Sequence, residues 1–285
     1  MMPLTRLIGF GEKMTRLAIF ALLGLLSTPV YSDEDINDYE TLFEIGVGVS
    51  VVDIPHYAGS EQSESYALPF PYFKYESKKV SLNRDGLKRY LFKGDNWDLD
   101  ISFSGTIPVD SDKNRARRGM PDLDWVGLAG PAFNYQVFNN QHHRVKISVP
   151  LRFGVATDFS QFDSVGWDFA PSLQWRYKTF SQSVEWNFIS SLGLEYASAD
   201  YNGYYYSVDP QYQTTTRDAY QADSGYGGYK LTFGINRREG KLWVGAFTRY
   251  RNLDDATFAD SPLVTAKDNF YVGLAAAWII KSERY

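Results

Sequence analysis

From Arg144 to Val155 the chain alternates without a break. Val145, Ile147, Val149, Leu151, Phe153 and Val155 are apolar, while Arg144, Lys146, Ser148, Pro150, Arg152 and Gly154 are polar, small or proline. A period of two puts the two sets on opposite faces of an extended strand. The same rule places Val165, Trp167, Phe169, Leu173, Trp175 and Tyr177 on one face against Gly166, Asp168, Ser172, Gln174 and Arg176. It recurs over 184–195, over 229–236 and over 270–280, and helical spacing is nowhere sustained. The chain is predicted to be all-β.

Such strands suit either a soluble sandwich, with its apolar faces inward, or a membrane barrel, with its apolar faces outward toward lipid. The spacing of the strands favours the barrel. Strands are expected near 42–52, 66–75, 79–84, 87–93, 97–105, 124–138, 143–155, 162–177, 184–196, 224–237, 241–252 and 268–280. Several are longer than the five or six residues typical of a sandwich strand, by roughly a factor of two. The links 76–78, 94–96, 139–142, 178–183 and 238–240 are tight. Most of the alternate links (53–65, 106–123, 197–223, 253–267) are long, and 85–86 and 156–161 are the short members of that set. Outer-membrane barrels have tight turns at one end and long loops at the other. The expected fold is therefore a transmembrane antiparallel β-barrel of about twelve strands, or ten if the two short segments at 79–84 and 87–93 are not strands. Aromatic residues near the strand ends, including Tyr72, Trp97, Tyr135, Trp175, Tyr177, Trp243 and Trp278, read as interfacial girdles.

Composition removes other classes. Cysteine is absent, which excludes thiol chemistry and disulfides, and three histidines leave little for a metal or a triad. A net charge of −5 argues against a general nucleic-acid binder. Outside the N-terminus no apolar run approaches the roughly 20 residues a membrane helix needs. Lys13 and Arg16 precede the apolar stretch Leu17–Leu26 and small residues up to Ser32, the pattern of a secretory signal peptide. The expected organisation is thus a signal peptide over 1–32, a polar periplasmic lead-in over 33–41 and a barrel over 42–285, with Met1 or Met14 as the start.

Continuing the alternation turns Glu44, Asp98, Asp100, Lys146, Arg152, Asp168, Arg176, Glu185, Glu195, Lys230, Arg249 and Arg251 into the lumen. Mixed signs across a narrow bore predict ion pairs that bridge the wall, and hence little conductance. No catalytic constellation, cofactor site or metal site emerges. His56 lies in a loop near Asp53, and His142 and His143 lie in a tight turn, none at a lipid-facing position where a barrel lipase would need one. Lys113, Arg115, Arg117 and Arg118 could meet lipopolysaccharide phosphates, but Asp110, Asp112, Asp122 and Asp124 offset them. The tyrosines of 197–223 fit two readings equally, a partner surface or a closure over the barrel mouth.

Three stretches resemble the family named for the MltA-interacting protein and the outer-membrane antigen OmpV. Gly46-Val47-Gly48-Val49 leads to Pro55-His56-Tyr57-Ala58-Gly59-Ser60-Glu61, similar to the family's Tyr-x-Gly-Ser-acidic loop. Leu68-Pro69-Phe70-Pro71-Tyr72 is similar to its second strand. Asp260-Ser261-Pro262-Leu263-Val264, then Asn269 and the strand to Trp278, are similar to its last loop and hairpin. The resemblance implies a non-enzymatic outer-membrane protein that scaffolds a murein transglycosylase and a murein synthase, with a pore, ligand receptor or surface antigen as the alternative. It also marks Tyr57, Gly59, Ser60, Ser261 and Pro262 as family-motif loop residues.

Overall fold

The computed structural model describes residues 41–77, 80–83 and 86–284. The expected signal peptide, residues 33–40 of the lead-in, the turn at Asp85 and the terminal Tyr285 lie outside the described residues. Strands β1 (Thr41–Pro55), β2 (Ser63–Ser77), β3 (Val80–Asn83), β4 (Gly86–Lys93), β5 (Trp97–Thr106), β6 (Trp125–Asn139) and β7 (His143–Thr157) follow one another as antiparallel neighbours. They continue through β8 (Phe162–Phe169), β9 (Ser172–Ser181), β10 (Val184–Ala197), β11 (Gly225–Glu239), β12 (Leu242–Asn252) and β13 (Asp268–Arg284). β13 pairs with β1, so the sheet closes on itself; among the described residues its sparsest seam is at the short hairpin, where β2 pairs with β3 at Tyr75 and Glu76 and β5 pairs with β4 at Asp98–Asp100.

β8 and β9 are two halves of one stave. Both pair with β7 and both pair with β10, and the ladder is interrupted only at Ala170-Pro171, where proline has no N–H to donate. The barrel therefore has twelve staves. The tail beyond Ile280 stays in the wall, with Lys281 to Arg284 paired to Ile45 through Leu42.

The wall is inverted relative to a soluble protein. Val47, Val49 and Val51 on β1, Phe153 on β7 and Leu274 and Ile280 on β13 are exposed on the outside. Their alternating neighbours Glu44, Lys146, Arg152 and Ala277 are buried inside. An apolar exterior of this kind is stable only against acyl chains. Trp97, Tyr135, Trp175 and Trp278 are exposed among the girdle aromatics.

Three residues lie on the opposite face to the one expected. Tyr72 and Trp243 are buried in the lumen, where they pack with Phe70, Ala277 and Ile279. Both occupy inward positions of their strands, in line with Lys74 and with Arg249 and Arg251, so strand parity overrides the preference of aromatic rings for the interface. Val165 also faces inward, because a bulge displaces the register between Gly154 and Val155 opposite it. Gly166 sits beside that bulge at φ +83°, and a Cβ there would fall 2.1 Å from Ser198 Oγ.

Candidate functional site: a lidded, charged lumen

The loops β1–β2, β5–β6, β10–β11 and β12–β13 all leave the same end of the barrel and pack on one another. Their buried core combines Tyr57 and Ala58, Val109 and Leu123, Tyr205 and Tyr206, and Leu253 and Phe258. The inward-facing Val126, Leu128, Ala156 and Val165 at the top of the wall support it from below. Tyr206 stacks on Phe258 with ring centroids 3.7 Å apart. Burying an aromatic or large aliphatic side chain contributes about 1.5–3 kcal/mol, so these loops form a lid with its own apolar core.

The tyrosines come from helix α1 (Ala199–Tyr206), which opens the β10–β11 loop and is capped by Ser198, whose Oγ accepts from Tyr201 N. Ser198 also exchanges hydrogen bonds with the Trp167 backbone, anchoring α1 on β8 where β10 has ended. The Tyr-rich segment thus folds over the mouth and contributes Tyr205 and Tyr206 to its core, the closure reading of the two.

Polar latches tie the lid together. Tyr57 Oη donates to the Leu263 carbonyl at 2.7 Å, across 206 positions of sequence. Asn269 Oδ1 accepts from Gly59 N at 2.5 Å, and its Nδ2 donates to the Ser60 carbonyl at 3.0 Å. Ser261 Oγ donates to the Tyr206 carbonyl at 2.6 Å, and Pro262 lies beside it in the same turn. Gly59 has φ +95°, with Leu253 and Val264 against it. The motif residues Tyr57, Gly59 and Ser60 are therefore staples between the β1–β2 loop and the β12–β13 region, while Ser261 ties the β12–β13 loop to α1.

Two buried arginines sew the other loops. Arg117 Nη1 donates to the Tyr205 carbonyl (3.0 Å), Nη2 to the Pro121 carbonyl (3.2 Å) and Nε to Ser111 Oγ (3.2 Å). Arg217 donates to the carbonyls of Tyr212, Ala116 and Arg118. The basic cluster expected at 113–118 is therefore divided. Lys113 pairs with Asp110 and Arg115 with Glu61 at the surface, while Arg117 is interior and unavailable to a phosphate. His56 bonds Asn114, and Asp53 accepts from Ser65, so these two do not form an acid–base pair.

Below the lid lies a charged belt. Arg152 forms a bidentate pair with Asp168 at 2.9 and 2.5 Å. Glu195 is shared by Lys230, at 2.8 Å, and Arg251. Arg249 donates to Thr232 Oγ1 and lies over the Tyr271 ring. Nearer the short-turn end, Glu44 is held by Arg238 at 2.7 Å and accepts from Tyr72 and Ser282. Glu185 pairs with Lys178 at 3.5 Å. Lys146 is buried at an inward position, and Arg176 lies half-buried on the inward set between Gln174 and Lys178. Of the expected lumen charges, Glu44, Lys146, Arg152, Asp168, Arg176, Glu185, Glu195, Lys230, Arg249 and Arg251 all take inward positions of their strands. Arg238 was not among them, since the expected strand stopped at 237, although Lys230, Thr232, Gly234, Asn236 and Arg238 form one parity series. Among the described residues no group of three or more His, Cys, Asp or Glu is placed to hold a metal ion.

The profile of the MltA-interacting protein MipA matches residues 45–280. The chain belongs to the MipA family. It is 35% identical over 89 residues to the outer membrane protein OmpV of Vibrio cholerae, a match covering 30% of this chain and 33% of that protein. It is equally similar, over the same length, to the outer membrane protein Omp26La of Vibrio anguillarum. The matched region spans about a third of the length of these relatives. Among solved structures, a bacterial polysaccharide outer membrane secretin aligns over 86% of this chain and 100% of its own, at 11% identity and TM-score 0.39. The NanC porin aligns over 82% and 98%, at 6% identity and TM-score 0.36. This MipA-family chain is an outer-membrane barrel protein.

The lid makes a pH prediction. Burial pushes the Tyr57 hydroxyl up to about 12, partly opposed by Arg117, and pushes Tyr204 to about 12 as well. Tyr205 and Tyr206 are raised further by the same desolvation. A folded pKa raised above the unfolded value of 10 stabilises the closed lid fully below pH 10, and that stabilisation is lost as pH rises through about 12. The lid should stay closed at pH 9 and loosen between pH 10 and 12. In an alkaline titration, the steep part of the tyrosinate absorbance rise should coincide with the onset of loop cleavage by an alkali-stable protease.

Proposed function

We propose that the protein is a non-enzymatic outer-membrane anchor, closed to free diffusion at rest, whose periplasmic rim holds murein-processing enzymes. The observation that carries the closed state is the lid, in which four loops share one apolar core and are stapled by buried hydrogen bonds. The family description, MltA-interacting protein, supports a murein transglycosylase as the partner, with a murein synthase as its second client. The surface left for such a partner is the short-turn end, which is periplasmic by the general rule for outer-membrane barrels. It offers the turns near Ser77, Gly94, Asn139–His143 and Gly240, together with the strand extension Lys281–Arg284. His143, Trp175 and Tyr177 stack there as an aromatic platform.

A tagged full-length chain extracted in mild detergent should co-purify a lytic transglycosylase. Reversing the rim charges Arg144, Lys241 and Lys281 to Glu should remove that partner while the barrel stays folded. Recovery of the same partner by the reversed variant, or of none by the wild type, counts against the scaffold. The alternative, a ligand receptor, draws on the charged belt beneath the lid.

A further inference from the structure

We propose that the belt under the lid is a binding site for a small oxyanion, a carboxylate or phosphate group seated between Arg249 and Arg251. This goes beyond the scaffold reading and does not rest on it.

The first argument is charge. Arg152, Lys230, Arg249 and Arg251 lie within electrostatic range of one another, together with the carboxylates Asp168 and Glu195. Four cations therefore face two anions in one compartment. Asp168 is committed to Arg152, and Glu195 is divided between Lys230 and Arg251. Among the described residues Arg249 forms no ion pair of its own, sharing only the more distant field of Glu195, and its guanidinium donates to one long acceptor, Thr232 Oγ1 at 3.3 Å. A guanidinium inside a barrel without a counter-ion is costly, and an incoming anion removes that cost.

The second argument is an unmet donor. Arg251 Nε is buried and has no hydrogen-bond acceptor, whereas nearly all buried polar groups in proteins have one. Arg249 and Arg251 are two apart on β12 and so project from the same inward face. The donors of two such guanidiniums match the oxygens of a carboxylate or phosphate.

The third argument is space and shape. Lys230, Glu195 and Arg251 keep about a fifth of their side-chain surface accessible (23%, 20% and 20%), so the belt is not wholly enclosed by packed protein. Tyr201, Tyr206 and Tyr271 lie within electrostatic range of Arg251. Tyr271 stands opposite Arg249 in the β12–β13 ladder. These rings supply flat apolar area beside the cations, the surface that a small organic anion such as a sugar acid or sugar phosphate would use.

The test is calorimetric titration of the full-length protein in a phosphate-free, non-ionic detergent buffer. The probes are inorganic phosphate, glucuronate and glucose 6-phosphate, with glucose as the neutral control. The wild type should bind at least one oxyanion and not glucose. Binding by inorganic phosphate and glucose 6-phosphate alone identifies a phosphate site, binding by glucuronate alone a carboxylate site, and binding by all three a general oxyanion site. Arg249→Gln breaks no ion pair, should leave the barrel folded by heat-modifiable gel mobility, and should weaken binding at least tenfold. Because a closed lid could exclude the probes, the titration is repeated on Arg117→Ala, in which the lid is released. No binding in either protein, or equal affinity in Arg249→Gln, overturns the site.

Discussion

Arg117→Ala should convert a non-conducting barrel into a conducting one. The wild type, reconstituted in planar bilayers, is expected to show little or no conductance, because the loops fill the mouth and paired charges line the bore beneath them. Removing the Arg117 side chain leaves the Tyr205 carbonyl without its donor, takes one of two donors from the Pro121 carbonyl and one hydrogen bond from Ser111 Oγ, and opens a void beneath Tyr57. Each buried group left unsatisfied costs about 1–3 kcal/mol. Even a total near 3 kcal/mol raises the open population of the lid about a hundredfold. Steady conductance steps should appear, and trypsin should cut within 107–124 and 198–224 while the barrel keeps its folded mobility. The control is Arg115→Ala. Its partner Glu61 lies at the surface, with the two side chains 70% and 67% exposed, and such pairs contribute about 0–1 kcal/mol. If both variants stay silent, the lid is not what closes the lumen. If both conduct equally, its interior arginine has no special role.

The contrast between these two arginines shows where the sequence is informative. Arg115 and Arg117 stand two apart in a loop of mixed charge, and nothing local separates a surface ion pair from an interior staple. The difference comes from Tyr205, 88 positions away. Wall positions are different, because parity is a local signal that carries across long strands. Lys146, Arg152, Glu195, Lys230, Arg249 and Arg251 could all be placed on the inner face from alternation alone. The rule fails where the backbone departs from period two, as at the bulge that turns Val165 inward. It also misleads where a side chain's chemistry is weighed above its parity, as with Tyr72 and Trp243. The interruption at Ala170-Pro171 was visible as a proline, yet its consequence, one stave in two pieces, depends on β7 and β10 holding both halves in line. The resemblance motifs had a clear signal but no visible purpose. Tyr57, Gly59 and Ser60 meet Leu263 and Asn269 only because closing β13 onto β1 brings the two ends of the chain together.

Replacing Glu195 should have the largest effect on the stability of the barrel itself. One carboxylate serves two cations, Lys230 from the neighbouring strand and Arg251 from the next strand beyond it. Glu195→Ala leaves both without a counter-charge in a compartment already rich in positive charge, and breaking a buried pair in this one-sided way costs about 3–5 kcal/mol. The variant should unfold at clearly lower temperature or urea concentration, read by heat-modifiable gel mobility. Glu195→Gln keeps the volume and should lose nearly as much, which separates charge from packing. Adding Arg251→Ala to Glu195→Ala should recover part of the loss, since the second change removes an orphaned cation, and neighbouring charges of this kind couple by roughly 0.5–3 kcal/mol in a double-mutant cycle. The rim pair Lys281–Glu283 supplies the comparison, being 57% and 34% exposed, and Lys281→Ala should cost less than about 1 kcal/mol. A Glu195→Ala barrel as robust as Lys281→Ala would mean that lumen water screens the belt as bulk solvent does. In that case the inward-facing charges would be solvated side chains lining a wet pore, and not the struts of a closed one.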